Sequence, residues 1–370
     1  MKCFLHIGTE KTGTTTLQNF FDINREAILR KGFIYTKSTG RTNNRALSLA
    51  AYNPSRRDDL TMQYRISSNL DLLRHQKVIV RNLKNELKRI KSNGDTIIFS
   101  SEHFQSRLTT VDEIERLNGI LKMIGITDIS VILYLRRPAD IATSLYSTAI
   151  ISGSVLEAPP PPRNPYFNNV CNHKNTIEKF STVFGSGSII LRIFESNELT
   201  NGSIIDDILS IIGIPNDDSY EIPQNQNKSL SFIGINLLRH LNITIPEFIN
   251  NKKNPIRQHL VGSMDKYFSH SKYIMPDRLY KEYDLEFHDS DNWVKVNYFP
   301  NKKKLFSDEI PYSSITNTLA DSEFANIANF IESLLDLPPD QTVTGKLKKY
   351  VMWVKQRARS LKCFSPRNKS

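Results

Sequence analysis

Cysteine is scarce in this chain: Cys3, Cys171 and Cys363 are the only three in 370 residues, and they stand far apart. No CxxC pair or Cys/His spacing accompanies them, so neither a disulfide framework nor a zinc site is encoded, and a reducing compartment fits best. Long apolar runs are missing as well. None approaches the ~20 residues a membrane-spanning helix requires, and the opening stretch Met1–Ile7 is too short for a signal-peptide core. These absences predict a cytoplasmic protein. There is no internal repeat. The 39% hydrophobic content is modest yet sufficient to exclude wholesale disorder. The length accommodates one large α/β domain, or a core with a smaller helical part.

Acidic side chains are lacking where basic ones concentrate. The net charge is +11, but Lys346–Ser370 holds nine Lys and Arg and no acid, leaving 40 basic against 38 acidic residues elsewhere. The body is close to neutral, which argues against a specific nucleic-acid binder. In the tail, Leu347, Tyr350, Val351, Val354, Ala358 and Leu361 recur at helical spacing opposite the cations. Such a basic amphipathic helix suits peripheral contact with an anionic membrane through residues 346–362, packing on the body, or weak RNA binding.

Short apolar runs alternate with helix-period stretches. Cys3–Ile7, Thr96–Phe99, Ser130–Leu135 and Ile189–Ile193 read as buried strands. Helices are expected over 14–31, 60–91, 111–124, 139–151 and 177–184. This alternation predicts an α/β fold with a central parallel sheet covered on both faces. Beyond residue 215 the strands give way to helical segments at 230–241, 278–283, 292–298 and 321–335. The expected division is a core over 1–215, a helical part over 216–340 and the basic tail over 341–370.

The first strand runs into Gly8-Thr9-Glu10-Lys11-Thr12-Gly13-Thr14-Thr15-Thr16, after which a helix opens. Gly8 and Gly13 have the spacing of a phosphate-binding loop, whose backbone N–H groups form a nest beside the helix N-terminus. What this loop lacks is informative. The Gly-Lys-Ser/Thr ending of a nucleoside-triphosphate loop is absent, the only lysine (Lys11) lies inside it, and no clear magnesium-binding aspartate follows a later strand. The pattern suits a substrate with less charge to neutralise and no metal. An ordinary glycine turn is the alternative.

A second motif follows the strand 129–135: Arg136-Arg137-Pro138-Ala139-Asp140, with Ser144 two helical turns along. Arg136 stands at a strand's carboxyl end, where open α/β sheets bind ligands, and a guanidinium fork suits a phosphate. Lys11-Thr12-Gly13-Thr14-Thr15 resembles the 5′-phosphosulfate loop of sulfotransferases that use 3′-phosphoadenosine 5′-phosphosulfate (PAPS), and the arginine motif with Ser144 resembles their 3′-phosphate motif. Order and separation agree. Leu191–Glu195, Asn227–Ser231 and Asn292–Phe306 are similar in style to bacterial members, so the resemblance covers roughly 1–310. Family members often have an aromatic residue where Thr16 stands.

The resemblance implies a P-loop-type three-layer sandwich with a helical C-terminal extension, PAPS as sulfuryl donor and no metal. It implies that Lys11 stabilises charge on the bridging oxygen, that Thr12, Gly13, Thr14 and Thr15 cradle the 5′-phosphate, and that Arg136 and Ser144 hold the 3′-phosphate, with Arg137 a substitute. For the base that takes the acceptor proton, the strand end Ser100-Ser101-Glu102-His103 supplies two candidates. On an extended chain they face opposite ways. Glu102 is the first choice, because Ser-Ser-Glu looks like the members that act on glycans, and His103 the second. His6 reads as a core histidine. The expected acceptor is a carbohydrate of a cell-surface glycan or glycolipid, with Pro159–Pro162, Arg163, Tyr166 and Phe167 one wall of its cleft or a solvated linker. A P-loop small-molecule kinase and a non-catalytic nucleotide-binding module are the rival readings. The expected location is cytoplasmic or peripheral at the inner membrane face.

Overall fold

The computed structural model describes residues 1–90, 95–217, 219–223, 230–249, 252–269, 272–307, 326–327 and 330. The chain runs β1 (Lys2–His6), α1 (Thr14–Ile23), α2 (Arg25–Arg30), β2 (Phe33–Tyr35), α3 (Arg45–Ala50), α4 (Asp59–Gln63), α5 (Asn69–Ile90), β3 (Thr96–Ser100), α6 (His103–Arg107) and α7 (Val111–Met123). It continues with β4 (Asp128–Leu135), α8 (Pro138–Ile151), α9 (Pro165–Cys171), α10 (His173–Phe184), β5 (Ile189–Ile193) and α11 (Ile204–Ile212). The last elements are α12 (Phe232–Asn242), a two-residue hairpin β6 (Phe248–Ile249) and β7 (Lys252–Lys253), α13 (Pro255–Phe268) and α14 (Asp277–Tyr298). Among the described residues no helix is long and apolar enough to cross a membrane.

The five long-range strands form one parallel sheet in the order β2-β3-β1-β4-β5. Successive side chains of a strand point to opposite faces, and here both faces are apolar, which is why the strands read as unbroken hydrophobic runs. Leu5, Ile97, Phe99, Val131 and Leu133 pack with α3, α5, α7, α10 and α14. Phe4, Ile98, Ile132 and Tyr134 face the other way, onto Leu17, Phe20 and Phe21 of α1 and Ile205, Ile208 and Leu209 of α11. Burying one such side chain stabilises by about 1.5–3 kcal/mol. The fold is therefore α/β, with helices on both faces of a parallel sheet and a helical part toward the C-terminus.

Four expectations need correction. The helix over 60–91 is two, α4 and α5, parted at residues 64–68, where Arg65 takes a left-handed φ of 55°. The helix over 14–31 is two helices: the amide of buried Asn24 bonds the carbonyls of Phe20 and Glu221 at 2.9 and 2.8 Å and breaks the run. The segments 278–283 and 292–298 are one continuous helix, α14, which packs on α10 through Val294 and a hydrogen bond from the Lys174 N–H to Ser290 Oγ at 3.0 Å. The edge strand β2 has no counterpart among the expected strands. The tail over 341–370, the helix expected at 321–335 apart from residues 326, 327 and 330, and Asn227–Ser229 lie outside the described residues.

Packing divides the chain into two units. The first comprises Met1–Ala142, Pro160–Gln226 and Asp277–Asp308, and contains the whole parallel sheet. The second comprises Thr143–Pro159 and the described residues of 230–276, with residues 326, 327 and 330. Its described core gathers Tyr146 and Ile150 of α8, Ile235, Leu238 and Leu241 of α12, and Leu260, Met264 and Phe268 of α13.

Candidate functional site

β1, β3 and β4 are neighbours, and the segments leaving their carboxyl ends meet at one sheet edge, where ligands of open α/β sheets bind. After β1 the backbone turns through left-handed conformations at Gly8 (φ 73°), Lys11 (φ 68°) and Gly13 (φ 75°). Gly8 admits no side chain: a Cβ there would lie 2.9 Å from the Cα of Glu102. Gly13 precedes α1, and a Cβ on it would come 3.2 Å from the ring of Phe194. No side chain caps α1, so its first-turn N–H groups keep their donor capacity on the loop side.

Lys11 is a non-glycine residue in the left-handed region, a conformation that persists only where its surroundings impose it. Arg136 is part of that imposition, donating from Nη1 to the Lys11 carbonyl at 2.6 Å. Burial lowers the Lys11 ammonium pKa, with Arg136 adding to the effect while Glu10 and Glu102 oppose it. The hydroxyl of buried Thr12 is committed to the Thr9 carbonyl at 2.6 Å, so Thr12 can offer a ligand only its backbone. Thr14 is buried with its methyl toward Gly8, whereas Thr15 is exposed.

Arg136 is itself held from two sides. Its guanidinium lies over Phe194, 5.9 Å from the ring centroid. Its carbonyl accepts from His173 Nε2 at 2.8 Å, which fixes the proton on that nitrogen because a carbonyl only accepts. Arg137, 8% exposed, is turned away from this edge and donates to the Tyr280 hydroxyl at 2.9 Å and to the Ser307 carbonyl. Ser144 stands on the stretch of α8 that packs in the second unit, half-buried, its carbonyl accepting from Thr148 at 3.0 Å.

The strand-end pair departs from the extended geometry expected of it. Glu102 is already helical (φ −64°, ψ −19°), because α6 starts at the next residue. The turn brings the two side chains together rather than apart, with His103 Nε2 3.7 Å from Glu102 Oε1. Glu102 accepts from Gln18 Nε2 at 2.9 Å and from Asn43 Nδ2 at 3.0 and 3.1 Å. Burial lowers the His103 pKa, against the opposing pull of Glu102 and Glu10, and its Nδ1 is shielded with no hydrogen-bond partner. His6 lies in the core with Nδ1 on Ser100 Oγ at 2.8 Å, and burial depresses its pKa to about 4.

No protein-family model matches this chain, and no curated protein matches it. Among solved structures it is similar to a sulfotransferase from Alicyclobacillus acidocaldarius, with 11% identity, 80% of this chain and 95% of that chain covered, and a TM-score of 0.40.

Several residues at this edge escape a reading of the sequence. Asn43 and Gln18 clamp Glu102 from 59 and 84 residues away. Asn43 has no local signature, but Gln18 offered one, since it is a buried amide among Leu17, Phe20 and Phe21 on the apolar side of α1. Phe194 sits under both Gly13 and Arg136. Tyr166, expected on an acceptor wall or a linker, donates its hydroxyl to Glu10 of the loop at 2.5 Å. Arg163 is 83% exposed and pairs with Glu286 at 2.9 Å.

Proposed function

We propose that this chain moves a sulfuryl group from PAPS onto a hydroxyl or amine of a carbohydrate, in a cell-surface glycan or glycolipid. One observation carries the reading: the Gly8–Gly13 loop, Glu102, whose Cα and Cβ pack against Gly8, and Arg136 bonded to the Lys11 carbonyl share one sheet edge. A nucleoside bisphosphate calls for backbone N–H donors, a helix N-terminus and a guanidinium; an acceptor hydroxyl calls for a nearby carboxylate. This set of groups fits both demands.

When bound, PAPS supplies the activated sulfuryl group. Lys11 stabilises negative charge where it develops as the group leaves. The backbone of Thr12, Gly13, Thr14 and Thr15, with the exposed Thr15 hydroxyl, cradles the 5′-phosphate. Arg136 holds the 3′-phosphate. Glu102 takes the acceptor proton, its carboxylate aimed by Gln18 and Asn43. His103 is the alternative base, a role open to it because burial favours its neutral form.

Isothermal titration with adenosine 3′,5′-bisphosphate tests the donor site. Saturable binding that Arg136→Ala weakens about tenfold or more is the expected outcome. No binding at millimolar concentration overturns the reading. Transfer from PAPS should continue in EDTA, whereas a magnesium-dependent kinase would stop.

A further inference from the structure

Away from the strand ends, α5 and α7 of the first unit, with Ala50 of α3, line an open groove of about 790 Å³, a size typical of small-molecule sites. None of the residues around the phosphate loop belongs to α5 or α7. The groove's apolar surface comes from Leu73, Val80, Ile120 and Met123, of which Leu73 is 40% and Met123 60% exposed. Side chains of this size stay exposed at a cost that burial against a ligand would remove. Its charged lining has a single sign: Lys77, Arg81, Lys84 and Arg116, with no Asp or Glu among the lining residues. Nη1 of Arg116 is shielded from solvent and has no hydrogen-bond partner.

Gly119 adds an independent observation. It lies inside helix α7, where glycine is less favourable than alanine, and it lines the groove. No close packing requires it: a Cβ added at Gly119 would meet nothing within 4 Å. The missing side chain instead leaves room in the groove wall.

We propose that this groove binds an anionic amphiphile, a single apolar chain with an acidic head group. The aliphatic surface takes the chain, the cations take the head, and the unpartnered Arg116 nitrogen supplies a directed donor. A plain polyanion would leave the aliphatic surface wet, and a neutral lipid would leave four cations unmatched. The volume accommodates one chain.

Dodecanoate, titrated calorimetrically below its micelle concentration, is the probe. The wild-type chain should bind it saturably, and dodecyl maltoside, with the same chain but no charge, at least about tenfold more weakly. Gly119→Trp fills the groove from open space, and should weaken dodecanoate binding about tenfold or more while circular dichroism and the thermal midpoint show a folded protein. The exposed pair Lys84→Glu and Arg81→Glu should do the same. No saturable binding by the wild type, or equal affinity in Gly119→Trp, overturns the proposal. Two other outcomes also overturn it. Pelleting with anionic vesicles that the charge reversals abolish and Gly119→Trp leaves intact would make the cations a membrane contact. A wild-type dimer that Gly119→Trp renders monomeric would make the groove a self-association face.

Discussion

At the scale of single residues, the arrangement that most needs explaining is a carboxylate bound to two uncharged amides. Gln18 and Asn43 donate to Glu102 without neutralising it. Donation of this kind fixes the direction of the carboxylate, as a general base requires. In the proposed reaction, Glu102→Gln should lower turnover about 10²- to 10⁴-fold. Affinity for adenosine 3′,5′-bisphosphate should stay close to wild type, because the isosteric amide preserves the packing against Gly8. Near-wild-type turnover would remove Glu102 as the base and make His103→Ala the next variant to measure. The sequence identified Glu102 and His103 as neighbours at a strand end, but their mutual geometry depends on where α6 begins. That is a matter of one backbone dihedral pair, which no local pattern of side chains encodes.

At the scale of elements, the four strands with apolar runs were legible because a parallel strand buried on both faces leaves an uninterrupted hydrophobic signature. β2 escaped because three residues, Phe33–Tyr35, are too few for any period to show. α14 was legible only at its two ends, since exposed Glu282, Leu285, Asp289 and neighbours interrupt its apolar stripe. Helix contacts can be tighter than the sequence suggests. In the second unit, a Cβ placed on Gly234 of α12 would lie 2.7 Å from the Cβ of Phe268 at the end of α13. Neither atom is a flexible chain end, so the helices must shift to admit it. Gly234→Ala should therefore destabilise the protein by about 1–3 kcal/mol despite the better helix propensity of alanine. An unchanged or raised denaturation midpoint would contradict that contact.

At the scale of the whole molecule, two buried histidines tie stability to pH. Burial lowers His6 and His173 from 6.5 to about 4, so the folded chain keeps both neutral while the unfolded chain protonates them. Because the unfolded state binds more protons, stability is complete above about pH 6.5 and is lost as the pH falls toward 4. The loss is on the order of 3 kcal/mol for each group. Urea midpoints should fall between about pH 7.5 and about pH 5, and His173→Gln should flatten the dependence. The same variant keeps an N–H for the Arg136 carbonyl, so a large loss of bisphosphate affinity is not expected. Identical midpoints at both pH values in the wild type would refute the assignment.

The sequence by itself determined the α/β alternation, the glycine spacing of the loop and the arginine at a strand's carboxyl end. These are local signals: hydrophobic burial repeats along an element, and a left-handed turn favours glycine where it occurs. The excess of positive charge was likewise a local property, confined to the tail. Tertiary structure decided the rest. It spent the Thr12 hydroxyl on Thr9, sent Arg137 to Tyr280, set His173 behind Arg136 and brought Gln18 and Asn43 onto Glu102. Each of these depends on packing or on where a backbone turns. Sheet order and the turn at α6 brought those partners together, and side-chain spacing along the chain carries no record of either.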